Sequence, residues 1–68
     1  MQYQLWKSDK DDNWYWRFVT NGREIFRGSE GYVNKAGAIH SMDIAAASFE
    51  SPKLEQRDDG KWYALPQA

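Results

Sequence analysis

Asp9, Asp11 and Asn13 stand at the one-three-five spacing that opens a calcium-binding loop. Such a loop needs glycine at its sixth position and a bidentate glutamate at its twelfth. Trp14 and Thr20 hold those places here. The stretch therefore reads as a solvated turn whose short polar side chains bond the local backbone. The chain has no cysteine and one histidine, His40. A thiolate metal site is excluded, and a zinc site needs carboxylates for its remaining ligands. His40 falls roughly 100° or more around a helical wheel from every position of the apolar stripe. Catalysis requires a nucleophile and an orienting carboxylate beside the imidazole. Ser41 adjoins it in sequence but points elsewhere, so His40 reads as a surface or boundary residue. The expectation is a non-enzyme with no catalytic residue, no metal and no cofactor.

Ser29-Glu30-Gly31-Tyr32, followed by Lys35, is the strongest candidate for ligand binding. Gly28 and Gly31 let the backbone approach a partner closely, and Glu30 and Tyr32 offer an acceptor and a phenolic donor. We take Ser29, Glu30, Tyr32 and Lys35 as candidate ligand-binding residues. The competing reading is a strand-to-helix corner in which Ser29 or Glu30 satisfies backbone donors and Tyr32 anchors the helix. That reading weighs more. Gly28-x-x-Gly31 lacks the lysine and the length of a phosphate loop.

Trp6, Trp14, Tyr15, Trp16 and Phe18, with Arg17, Arg23 and Arg27, resemble the makings of a single-strand nucleic-acid platform. Nine basic and ten acidic residues give a formal net charge of −1, so no strong field draws phosphate backbones. A hydrophobic core and a dimer seam account for the aromatic residues better.

At 68 residues the chain is one domain. A domain of this size buries only about 60% of its unfolded surface and commonly needs a disulfide, a metal or a partner subunit. With the first two removed, oligomerisation is the supplement expected. No apolar run approaches the roughly 20 residues that span a bilayer. Met1-Gln2-Tyr3-Gln4 has no signal-peptide pattern. We expect a soluble cytoplasmic protein without membrane contact.

Tyr3–Lys7 alternates in character and reads as a strand. Ser8–Asn13 is a turn. Trp14–Thr20 is rich in residues that suit a pleated surface. Asn21-Gly22 signals a tight hairpin, after which Arg23–Arg27 returns as a third strand with Ile25 and Phe26 in apolar contact. Asn34 is a candidate N-cap, and Val33 and Ala38 a candidate hydrophobic staple. Ala38, Met42, Ala45 and Phe49 form an apolar helical stripe, widened by Ile39 and Ala46, with Ile44 outside it. The helix is expected to end near Ala47–Phe49, before Pro52. Lys53–Arg57 and Lys61–Leu65 are further strands around Asp58-Asp59-Gly60. Asp59-Gly60-Lys61-Trp62-Tyr63 faintly echoes Asp12-Asn13-Trp14-Tyr15, which we read as shared hairpin chemistry.

The succession Tyr3-Gln4-Leu5-Trp6-Lys7-Ser8, Trp16-Arg17-Phe18, Asn21-Gly22-Arg23-Glu24-Ile25 and Ser29-Glu30-Gly31-Tyr32-Val33-Asn34-Lys35-Ala36 resembles the YegP-like family. These are small bacterial and archaeal proteins without an established biochemical function. The resemblance covers about residues 3–57, leaving 58–68 as an extension of the single domain 1–68. It implies an α+β fold of β-β-β-α-β order: an antiparallel sheet with one helix per subunit. It further implies a homodimer that exchanges carboxy-terminal strands. Open sheet edges and the low cost of swapping a terminal element agree with this. Glu50-Ser51-Pro52 is the expected hinge, and Leu54, Trp62, Tyr63 and Leu65 the expected interface. The leading functional expectation is a dimeric interaction or structural module. The alternative is a nucleic-acid-binding protein that uses the aromatic and arginine face.

Overall fold

A computed structural model describes residues 1–66. Gln67 and Ala68, the last two residues of the expected extension 58–68, lie outside the described residues. Strands β1 (Gln2–Lys7), β2 (Trp14–Thr20) and β3 (Arg23–Arg27) precede helix α1 (Lys35–Ser48). Strands β4 (Lys53–Gln56) and β5 (Trp62–Ala64) follow it. They form one five-stranded sheet in the order β3-β2-β1-β4-β5.

The first three strands are the expected antiparallel meander. Asn21 and Gly22 both take positive φ, 51° and 75°, the geometry of a two-residue turn that matches strand twist. The sheet is not antiparallel throughout, because β4 lies parallel to β1, with Leu5 opposite Glu55. The cause is topological. After β3 the chain returns through α1, so the next strand enters the sheet in the direction of β1. The sheet is therefore mixed, and β1 becomes its centre.

Alternation divides the residues between two faces. Tyr3, Leu5, Trp16 and Phe18 meet Ala38 and Met42 of α1 in the buried core, with Phe26, Tyr32, Ile39 and Leu65 packed against it. Tyr3 and Phe18 approach ring to ring at 4.8 Å, and Phe18 stacks on Phe26 at 5.0 Å. The Tyr3 hydroxyl donates to the Phe49 carbonyl at 2.7 Å, which satisfies the phenol and holds the helix end.

Three helix expectations need correction. Asn34 is at the N-cap, but its side chain makes no capping hydrogen bond. Val33 is 80% exposed, so no staple forms with Ala38. Phe49 is the C-cap residue, 61% exposed, and leans on Phe26 at 5.9 Å instead of filling the core. Ending the helix at Ser48 turns the Phe49 backbone away from the stripe. Ile25 is also exposed, because the register of β3 shifts opposite Phe18 and Val19 and a bulge sends it outward.

Two ion pairs clasp α1 to β4. Lys35 Nζ lies 2.7 Å from Glu55 Oε2, and Lys53 Nζ donates to Asp43 Oδ1 at 2.6 Å. No described helix is long and apolar enough to cross a membrane.

Candidate functional site

A cleft of about 730 Å³ opens where β1 and β4 end side by side, below the first turn of α1. Its lining includes Lys7, Trp14, Lys35, Glu55, Arg57 and the acidic rim residues Asp9 and Asp58. Glu55 keeps only 7% of its side chain exposed and is paired with Lys35. Lys35 Nζ also stands 5.5 Å from the Trp14 ring centroid, a cation–π contact. The Arg57 guanidinium covers the Tyr63 ring at 4.1 Å. Lys7 closes β1 and Arg57 follows β4, and both line the cleft.

The four candidate ligand residues separate. Lys35 reaches the cleft. Ser29 and Glu30 are exposed on the loop after β3 and do not line it. Tyr32 donates its hydroxyl to Ser41 Oγ at 2.9 Å, and Ser41 also accepts from Trp16 Nε1 at 3.2 Å. Tyr32 further exchanges both backbone hydrogen bonds with Trp14. Its contacts are those of an anchor between β2 and α1. The partner that Gly28 and Gly31 admit is the chain itself. A Cβ on Gly28 would lie 2.6 Å from Trp16 Nε1, and one on Gly31 would lie 2.7 Å from the Tyr15 ring.

The sheet's second face carries no helix among the described residues. Gln2, Gln4, Trp6, Tyr15, Arg17 and Val19 share it with Leu54, Trp62 and Ala64, by alternation and register. Trp6 stacks on Tyr15 at 6.0 Å, and the Arg17 guanidinium lies 5.5 Å from the Trp6 ring. Arg17 Nε donates to Gln4, and Arg27 binds Glu24 through two hydrogen bonds. The sequence-expected aromatic platform is thus divided. Trp16 and Phe18 are core residues, Trp14 faces the helix side, and Arg27 is paired. Of the expected interface residues, Leu54 and Trp62 lie on the uncovered face, whereas Tyr63 and Leu65 turn to the helix side. Trp62 is 38% exposed.

The calcium-like stretch is a local clasp. Asp11 accepts the Asn13 N–H at 3.0 Å through Oδ1 and the Tyr15 hydroxyl at 2.5 Å through Oδ2. Asp59 accepts the Lys61 N–H at 2.9 Å and the Tyr63 hydroxyl at 2.5 Å in the same way. The next residue has positive φ in both, 60° at Asp12 and 79° at Gly60. The tyrosine hydrogen bond, first, and the backbone N–H hold both carboxyls below their usual pKa. The same bonds raise both tyrosines above theirs. The sequence echo between the two hairpins is therefore a shared structure. The signal was present in the Asp-x-x-Trp-Tyr spacing, read back from the tyrosine to the aspartate four residues before it. Among the described residues no cluster of three His, Cys, Asp or Glu side chains could hold a metal ion.

The family described as Domain of unknown function (DUF1508) matches residues 9–43, just over half of the 68. The chain belongs to this family. It is the YegP-like family that the sequence resembles, and the match spans β2, β3 and the first two turns of α1, including the Gly28–Tyr32 corner. No curated protein and no solved structure matches the chain.

Proposed function

We propose that this YegP-like chain is a non-enzymatic interaction module that works as a homodimer in the cytoplasm. The observation that supports it is the uncovered sheet face. Trp6, Tyr15, Leu54 and Trp62 sit there without a second layer among the described residues, and apolar surface of this kind favours a partner. Register adds weight. Leu54 occupies in the β4–β5 hairpin the place that Leu5 has in the β1–β2 hairpin, since each stands opposite the residue just after the clasp tyrosine. A core position of one hairpin is a surface position of the other. Exchange of β4 and β5 between subunits, with Glu50-Ser51-Pro52 as hinge, reuses the β1–β4 hydrogen bonds without new chemistry. The non-enzymatic reading rests on Ser41, whose oxygen is engaged by Trp16 and Tyr32, and on His40, which is exposed.

Light scattering after size exclusion tests this directly. A dimer is expected at low micromolar concentration, and Leu54→Glu with Trp62→Ser shifts it towards monomer. A folded native monomer at that concentration overturns the proposal.

The second reading is single-strand nucleic-acid binding, favoured by Arg17 over the stacked Trp6 and Tyr15. It requires salt-dependent binding of short single strands that Trp6→Ala abolishes. Absence of binding at low salt removes it.

A further inference from the structure

We infer that the cleft at the ends of β1 and β4 is a binding site for a small zwitterion of the amino-acid or short-peptide kind. The site does not rest on the uncovered sheet face, and its lining is the same whether β4 is the chain's own or is exchanged between subunits. Charges of both signs line the cleft. Lys7, Lys35 and Arg57 oppose Asp9, Glu55 and Asp58. Lys35 and Glu55 satisfy each other at 2.7 Å. That leaves two cations and two carboxylates, and none of these four forms an ion pair with another residue among the described residues.

Position makes these residues complementary to a ligand that carries both charges. Lys7 is the last residue of β1 and Arg57 the first after β4, and both line the cleft. Two cations that line one cleft repel each other, and an anion held between them is favoured. A ligand carboxylate relieves that repulsion, and the Arg57 fork suits its two oxygens. Asp9 and Asp58, each in the turn that follows its strand, are the acceptors for the ligand's ammonium. Trp14 supplies an apolar wall, and the Lys35–Glu55 pair a fixed, neutral one. The volume, about 730 Å³, exceeds that of one amino acid and lies within the range of small-molecule sites.

Chemical-shift titration of the full chain with three probes tests the site: alanyl-alanine, its N-acetyl form and its carboxamide. Free alanyl-alanine is expected to give saturable shifts at the Trp14 indole and at the amides of Lys7, Arg57 and Gly60. Each blocked form is expected to bind at least fivefold more weakly. Lys7→Gln, a substitution at an exposed residue that leaves the fold intact, is expected to weaken free alanyl-alanine at least threefold. It should leave the carboxamide unchanged. Equal binding of all three probes, shifts that do not saturate, or shifts centred away from Trp14 overturn the inference.

Discussion

Lys53 Nζ, on a side chain only 6% exposed, donates at 2.6 Å to Asp43 Oδ1, on a side chain that water still reaches. One partner is buried and the other is not. Lys35 and Glu55 repeat the inequality with the signs exchanged, Glu55 being the buried member. The two pairs sit two helical turns apart on α1 and two residues apart on β4. A helix slipped by one turn would leave both buried charges without partners. The pairs therefore set the register of α1 on the sheet.

Removing the exposed member should cost more than removing the buried one. Asp43→Ala strands an ammonium in the interior, and a loss of roughly 3 kcal/mol is expected. Lys53→Met keeps the buried stem and leaves Asp43 to water, so the loss should stay within about 1 kcal/mol. Urea unfolding of the two variants decides the order. Equal losses would contradict the assignment.

The two clasps predict how stability depends on pH. The folded pKa of Asp11 and Asp59 is lowered, chiefly by Tyr15 and Tyr63, so their contribution is present above the unfolded aspartate value of about 3.9 and fades as pH falls through the folded values. The folded pKa of Tyr15 and Tyr63 is raised, so theirs is present below about 10 and fades as pH rises through the folded values. Carboxyl titration by NMR should show Asp11 moving up in Tyr15→Phe and Asp59 moving up in Tyr63→Phe. Neither substitution should shift the other hairpin's aspartate.

Gly28 and Gly31 should differ in tolerance. Alanine at Gly28 meets the Trp16 indole, which is buried and hydrogen-bonded to Ser41. Overpacking of that kind costs about 1–3 kcal/mol. Alanine at Gly31 meets the far end of the half-exposed Tyr15 ring, which can yield at the expense of its exposed hydrogen bond to Asp11. A loss below about 1 kcal/mol is expected there, and thermal melts of the two variants would show it.

Met42→Ala should destabilise far more than Phe49→Ala. Met42 is fully buried, and truncation there costs about 2–5 kcal/mol. Phe49 is largely exposed, and its loss should fall well short of the roughly 3–5 kcal/mol of a core phenylalanine. Denaturant midpoints of both variants test this directly.

Local chemistry made much of this fold legible. Asn21-Gly22 admits one kind of turn, the alternation from Trp14 to Thr20 separates two faces, and Pro52 stops the helix. What stayed hidden depends on distant partners. Nothing near Lys53 in sequence says that β4 enters the sheet beside β1, and so parallel to it. The cleft escaped for the same reason: Lys7, Lys35 and Arg57 converge only after β4 is placed. Phe49 had the correct helical spacing but fell one residue past the last turn. Ser29 and Glu30 stood out because glycines flank them, yet those glycines make room for Trp16 and Tyr15.

The matching clasps carry a geometric consequence. Tyr15 points to the bare side of the sheet and Tyr63 to the side under α1, although each occupies the same place in its hairpin. A half-turn about the strand direction, between β1 and β4, with a slide of one residue, relates the paired positions of one hairpin to those of the other and reverses their faces. The β4–β5 hairpin thus carries the β1–β2 clasp with its faces reversed. A helix packed on the β4–β5 hairpin as α1 packs on β1 and β2 would lie on the side now left bare.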